Sequence, residues 1–598
     1  MSYGTTALTL IPSADSGVRT GLVARARVAC GVAALLAGIV YVNALRNPFV
    51  YDDHRTVVSN TSIEQLTNLK AIAAYDMMRP ITNFSYAVDR ALWGTSPVGF
   101  HVTSVLLHTL NVVLLFLIAW RLNEDWQRRS PAEGRPGRPD ETLIVASVAS
   151  VLFAVHPIMS QAVGYISARS EVLCSSFFLI AVLFGRRWIL EGGTRLATLT
   201  VAFWVLALAT KETGAMLPFV LFACGRLVIG GTPAEKRRRI PIALAALLAL
   251  AIAAGLARVA ILRVEYPGQV SIHWDYLLLG LDVIRRQILL MFNPGGQSIF
   301  HEVSPVGLFD PRAIVSIALL GLLVAFAWSA RRTRGLVTLG IAWFFLLLVP
   351  SFVLTVLDRG EAMTEHRVYL ASGGLFLAIG AGAGWMTAGL ERATATTRKL
   401  VLGGAVLVAL SLAVQTVLRN AVWSDPVALW SEAVELAPKH YRPHLLLGEA
   451  LQDAGRHDEA AEEFKSVIQM RPAEPAGYVK LGLLYAEMRQ LGNAEATFER
   501  LQLIDPRSAS AALGLGTVAV LSNDPAAARN YFLQTIERDP RNISARQSLA
   551  RLNEMAPGNP AEALRLCEEI QHIDPRTPGN DECIRRNRSR LETGTSDR

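Results

Sequence analysis

The residues best suited to chemistry lie in a short polar run, Asn47-Pro48-Phe49-Val50-Tyr51-Asp52-Asp53-His54, a few positions after a long apolar segment. A carboxylate acts as a general base when it stands within hydrogen-bond reach of the hydroxyl whose proton it takes. Asp52 and Asp53 are adjacent, and neighbouring side chains in extended backbone point to opposite sides. One can face an acceptor while the other holds a partner, a metal or the loop itself. The sequence does not say which does which. Most adjacent Asp pairs are solvated loop charges or helix caps, so this one gains meaning only from its surroundings.

Those surroundings are unusual. Arg79, His101, His108, His156, Arg169, Glu171, Lys211, Glu212, Glu365, His366 and Arg367 all sit at or within apolar segments. Ionisable groups are costly in hydrocarbon, so they face a polar cavity or pair with one another. The cations Arg79, Arg169, Lys211, His366 and Arg367 suit a phosphate group, to which Arg offers a planar fork. His156, Glu171, Glu212 and Glu365 are placed to support them. For any one of these residues the plainer reading is an anchor or a local ion pair. No Cys/His spacing fits a zinc site, no resident cofactor is expected, and a divalent metal is left open.

The elements that must position these groups are membrane helices. Apolar residues make up 52% of the chain and charged ones 18%, a balance wrong for a soluble globular protein. Spanning a hydrocarbon core takes roughly 20 apolar residues. Eleven segments are candidate spans, several of them short, at 28–45, 98–120, 143–160, 171–184, 196–210, 214–229, 240–262, 313–330, 335–357, 368–388 and 400–418. Basic runs at Arg128-Arg129, Arg186-Arg187, 236–239, Arg331-Arg332-Arg334 and Arg398-Lys399 fall between them, the signature of cytoplasmic loops. No basic stripe with interleaved aromatics occurs, so the net charge of +8 does not point to nucleic acid. Arg19, Arg25 and Arg27 place the N-terminus inside, and alternation then puts Asp52, Asp53 and everything after Trp423 outside. One segment, 274–292, is apolar but carries Arg285-Arg286 in its middle. It is read as an interfacial or re-entrant helix, because a central charge costs roughly 3 kcal/mol.

Beyond Trp423 the composition changes and a repeat appears. Pro438, Pro472, Pro506 and Pro540 are spaced by 34 residues, as are Gly448, Gly482 and Gly516. Ala460 with Phe464, Ala494 with Phe498 and Ala528 with Phe532 recur in the same register. This is the tetratricopeptide pattern, a stack of helix pairs offering a groove to a peptide or protein. The fold class is therefore all-α: a polytopic helix bundle at 1–422, a repeat solenoid at 423–578 and a polar tail at 579–598, disordered from Arg585 onward. Cys567 and Cys583 can pair if the repeats lie outside the cytoplasm; Cys30, Cys174 and Cys224 read as small apolar packing residues.

The motifs together resemble the transmembrane-and-tetratricopeptide-repeat protein family. The resemblance rests on Phe49-Val50-Tyr51-Asp52-Asp53, Arg79-Pro80-Ile81-Thr82-Asn83, Leu92-Trp93-Gly94, His101 and Leu106-Leu107-His108 with Asn111. It continues through His156-Pro157, Ala168-Arg169-Ser170-Glu171, Lys211-Glu212 and Glu365-His366-Arg367-Val368-Tyr369-Leu370. It covers nearly the whole chain in order. It implies a C-type (GT-C) glycosyltransferase fold that takes a sugar from a polyprenyl-phosphate donor on the outer face, as in protein O-mannosyltransferases. Asp52 or Asp53 matches the catalytic acidic motif, and Arg79, Arg169, Lys211 and Arg367 match positions suited to donor phosphate. Gln161, where many relatives have an acidic residue, and Ala168, where they have Gly, depart from the pattern and bear on donor recognition.

The function implied is transfer of a mannose-like sugar to a Ser or Thr of a protein held by the repeats. The partners are a polyprenyl-phosphate sugar, a protein acceptor and membrane lipid. Two rivals stand beside it: a non-catalytic membrane scaffold, and a transferase acting on a glycolipid or polysaccharide. Richness in Ala, Arg and Gly points to a bacterial inner membrane with the repeats in the periplasm.

Overall fold

The computed structural model describes residues 16–129, 139–229, 276–357, 361–390, 394–555, 558–575 and 577–594, with a few positions between 245 and 260. Every regular element among the described residues is a helix. They divide into two compact units, Met1–Leu429 and Trp430–Arg598.

The first unit runs through α1 (Ser16–Ile39), α2 (Leu69–Tyr75), α3 (Pro80–Trp93), α4 (Pro97–Arg129), α5 (Pro139–Val155), α6 (Ser160–Gly164) and α7 (Arg169–Glu191). It continues with α8 (Thr194–Leu208), α9 (Leu217–Leu227), α10 (Tyr276–Phe292), α11 (Pro311–Ala330), α12 (Gly335–Val356), α13 (Tyr369–Leu390) and α14 (Ala395–Val422). Among the described residues seven helices are long and apolar enough to cross a membrane, or eight if one bent pair counts as a single span. This fits a membrane protein, and among the described residues it does not confirm the count of eleven spans read from hydropathy.

The differences have local causes. The 143–160 segment breaks at His156-Pro157, where two helices meet at 55°. Proline has no N–H to continue the ladder, and the His156 ring takes the freed N–H of Ile158 instead. The segments at 196–210 and 214–229 form helices of only 15 and 11 residues. The 240–262 segment lies largely outside the described residues. Helix α10 has 17 residues, and Arg285 and Arg286 both reach back to the buried Asp282 at 2.6 and 2.8 Å, so one carboxylate serves both guanidinium groups on one face of one helix. The Arg186-Arg187 pair is no loop cluster. Arg186 lies inside α7, buried, and grips Asp125 of α4 with two hydrogen bonds.

The bundle core joins α4, α5, α7, α12 and α13. Helices α12 and α13 cross where Gly340 meets Gly374. A Cβ on either glycine would strike the other's carbonyl oxygen, the close backbone approach that small residues allow between membrane helices.

The second unit begins within α15 (Pro426–Leu436). It continues as pairs: α16 (Tyr441–Asp453) with α17 (His457–Met470), α18 (Pro475–Glu487) with α19 (Leu491–Ile504), and α20 (Ala509–Leu521) with α21 (Pro525–Arg538). The last pair is α22 (Ile543–Glu554) with α23 (Pro560–Ile573). The 34-residue register has a steric origin. Gly448, Gly482 and Gly516 lie under the rings of Phe464, Phe498 and Phe532, where any Cβ would overlap the aromatic. The turns within the first three pairs are made by a left-handed residue, Gly455, Arg489 and Asn523, at φ 75°, 61° and 59°.

The stretch expected to be a disordered tail is helix α24 (Asn580–Gly594). Its Cys583 is bonded to Cys567 of α23, Ile584 packs against the apolar cluster of the last repeats, and Glu554 accepts from Arg586 and Asn587, so a largely polar sequence is fixed by a covalent link, a small apolar contact and charge-assisted bonds.

Candidate functional site

The loop after α1 turns sharply at Tyr51, a non-glycine residue at φ 51°. Asp53 holds that strained turn in place. Its carboxylate accepts the Ser167 N–H at 2.8 Å, the Ser167 hydroxyl at 2.6 Å and the Val50 N–H at 3.2 Å. Burial pushes its pKa up to about 7, against the opposing pull of the hydrogen bonds from Ser167 and Val50. Asp53 therefore clamps its own loop to the segment before α7.

Asp52 has the opposite character. It is half-buried, and its backbone N–H donates to the Tyr165 hydroxyl at 3.2 Å. Its carboxylate makes no hydrogen bond or ion pair among the described residues. Of the two acids, Asp52 is the one available to an incoming hydroxyl.

A charged cluster lies on the neighbouring segments. Lys211, buried just after α8, pairs with Glu171 in the first turn of α7 at 2.7 Å. Arg79, at the N-cap of α3, stands 3.8 Å from Glu212. His366 donates its backbone N–H to Gln161 at 2.7 Å, which gives the departing Gln161 a definite place. Arg367 lies within the electrostatic reach of Glu212, Glu171, Glu361 and Arg79. The Nη1 of Arg367 and the Nδ1 of His366 are buried without a hydrogen-bond partner among the described residues. Buried polar atoms are seldom left unpaired without a functional reason. The Tyr51 hydroxyl donates to Glu361 at 3.1 Å, tying the Asp52 loop to the strip that carries His366 and Arg367.

Three residues singled out from sequence are engaged elsewhere. Arg169 is fully buried; it pairs with Asp89 of α3, donates to the Phe100 carbonyl at 2.7 Å and lies over the Tyr86 ring at 4.9 Å. His156 bonds the Met291 carbonyl at 2.8 Å. Glu365 accepts from Gln297, the Ser298 N–H and His301 at 2.7–2.9 Å. Both of the latter brace the 291–301 stretch. Among the described residues no group of three or more His, Cys, Asp or Glu is gathered to hold a metal ion.

Sequence reasoning passed over Tyr51, Tyr165, Ser167, Asp89 and Glu361. Tyr165 and Ser167 stand immediately before the Ala168-Arg169-Ser170-Glu171 motif, and extending that motif by a few residues would have included them. Asp89 had a signal too: it is the lone acid of α3, four residues before Trp93.

Fold and site together define a multi-span helical unit followed by a tetratricopeptide-repeat unit. The tetratricopeptide repeat family matches residues 451–517, and in a second form residues 423–475 and 513–580. The chain is similar to a protein O-mannosyl-transferase of Caenorhabditis elegans, 23% identical over 73% of this chain and 62% of that one. It is likewise similar to one of Mus musculus, 23% identical over 74% of this chain and 66% of that one. A Drosophila melanogaster protein O-mannosyl-transferase is 29% identical over 32% of this chain and 21% of its own length. The resemblance seen in the motifs thus runs through about three quarters of the chain, which spans less than two thirds of the full length of these relatives.

Proposed function

We propose that this chain is a membrane glycosyltransferase of the GT-C type, moving a mannose-like sugar from a polyprenyl-phosphate donor to a protein Ser or Thr hydroxyl. The observation that carries the reading is the free carboxylate of Asp52, on a loop tied through Tyr51 and Glu361 to a strip with an unfilled Arg367 donor and an unpaired His366 ring nitrogen. Asp52 takes the acceptor proton. The acceptor oxygen bonds the anomeric carbon as the bond from that carbon to the phosphate oxygen breaks, with inversion. The polyprenyl phosphate leaves with the electron pair, and Arg79, Lys211 and Arg367 stabilise the charge it gains. Asp53 holds the loop. Arg169 is assigned to structure rather than to phosphate.

The unit at 1–422 carries this chemistry, and the array at 423–578 binds the acceptor protein. Names of the relatives support mannosyl transfer, and the tetratricopeptide repeats support a protein partner. A disulfide persists in oxidising compartments, so the Cys567–Cys583 bond favours an array outside the cytoplasm, in the periplasm of a bacterial inner membrane.

The test is transfer by purified protein from polyprenyl-phosphate mannose to a Ser/Thr peptide. Asp52→Asn should lose activity by roughly 100- to 10,000-fold, and Asp53→Asn should lose less. Full activity in both variants removes the base assignment. Comparing glycoproteins and glycolipids of a deletion strain with its parent separates a protein acceptor from a lipid one.

A further inference from the structure

Helix α14, the last span, is attached in an unusual way. Only 6% of its most apolar stretch is buried, against 28–67% in the other six spans. Its buried side chains are Thr416, Arg419 and Asn420, all polar and all near its C-terminal end. In lipid, outward apolar side chains cost nothing, and buried polar groups are what join one helix to another. Helix α14 is therefore held to the bundle by its final turns.

Those turns grip the two segments that frame Asp52. On the upstream side, Asn43 donates to the Val417 carbonyl at 2.8 Å, Asn420 donates to the Val40 carbonyl at 3.0 Å, and Asn47 donates to the Asn420 carbonyl at 3.3 Å. Thr416 donates to the Val155 carbonyl at 2.6 Å. On the other side, Trp423 is buried and stacks on Tyr165 with ring centres 5.5 Å apart. The Tyr165 hydroxyl in turn accepts the Asp52 N–H.

We propose that Asn420, Trp423 and Tyr165 form a positioning latch by which the helix leading into the repeats sets the place of the Asp52 loop. The proposal rests on the reading of Asp52 as the base. None of the three residues need touch substrate; Asn420 acts on the backbone upstream of Asp52, and Trp423 acts through Tyr165 on the N–H of Asp52 itself. Because α14 continues into the repeats within a few residues, a pull on the array reaches that loop through these contacts. Acceptor engagement would then be sensed where the proton is taken.

Two measurements on the full chain in lipid nanodiscs test this. By hydrogen–deuterium exchange, Trp423→Ala should speed exchange in peptides covering residues 50–58, and Trp423→Phe should keep it slow. With polyprenyl-phosphate mannose and a Ser/Thr peptide, Trp423→Ala and Tyr165→Phe should lower kcat with donor KM unchanged. A displacement of about 1 Å costs on the order of 100-fold. Tyr165→Phe removes a single oxygen and guards against simple misfolding of the larger change. Unaltered exchange at 50–58 in both Trp423→Ala and Tyr165→Phe overturns the latch, as does a kcat loss matched by weakened donor binding. If the loop loosens in Trp423→Ala while Asp52→Asn stays fully active, the latch stands and the base assignment falls.

Discussion

The Asp53 carboxylate receives both the N–H and the hydroxyl of Ser167, joining positions 114 residues apart in the chain. That clamp places two otherwise equivalent acids in different environments.

It also makes the loop sensitive to pH. The folded pKa of Asp53 lies at about 7, raised by burial from 3.8. An acid whose folded pKa is raised binds more protons in the native state, so its contribution to stability is full below the unfolded pKa and falls as pH climbs through the folded one. The melting temperature of the chain should decline from pH 4 to pH 7 more steeply than that of Asp53→Asn. Parallel profiles for the two proteins would contradict the assignment.

Arg169 and Asp89 should behave as a structural pair. Removing the guanidinium leaves a buried, unpaired carboxylate, at a cost of about 3–5 kcal/mol. Arg169→Ala should therefore lower the yield of folded protein and the melting temperature, and Asp89→Asn introduced beside it should recover part of the loss. If Arg169→Ala folds normally and weakens only donor binding, the residue belongs with the phosphate cluster after all.

The array offers two substitutions of opposite sign. Gly482→Val drives a branched side chain into the Phe498 ring, and overpacking of this kind costs about 1–3 kcal/mol. Arg489 holds a left-handed conformation at φ 61°, where a side chain costs roughly 1–2 kcal/mol. Arg489→Gly should raise the unfolding temperature of the repeats in the full chain, as Gly482→Val lowers it. Equal melting of all three proteins would show that the register has another origin.

Cys583→Ser should free α24 (Asn580–Gly594). Proteolysis should then trim the chain near residue 575 while the earlier repeats stay protected. A loss of about 2–5 kcal/mol is usual for a native disulfide. An unchanged digest would show that the Glu554 bonds suffice.

These outcomes bear on how far the amino-acid order alone discloses the molecule. The repeats were legible because Gly448 and Phe464 must touch in every unit, which writes a fixed period into the chain. The ends of the spans were not. Hydropathy sums over a window, and it cannot see that Pro157 turns the chain or that Arg186 finds Asp125 in another helix. The identity of a partner is likewise invisible. Arg169 looks like any phosphate ligand until Asp89, 80 positions earlier, is brought beside it. The same limit left Asp52 and Asp53 indistinguishable, since burial and not residue type separates them.

Held at one end only, α14 is a rod on a pivot. Its apolar part, 400–418, extends about 28 Å at 1.5 Å per residue, close to a hydrocarbon core of about 30 Å. Where the bilayer is thinner than such a span, the helix takes up the difference by tilt. The free part of this rod can lean as bilayer thickness varies while the pivoted end stays put, so lipid composition sets an angle in the outer helix without shifting the loop at its foot.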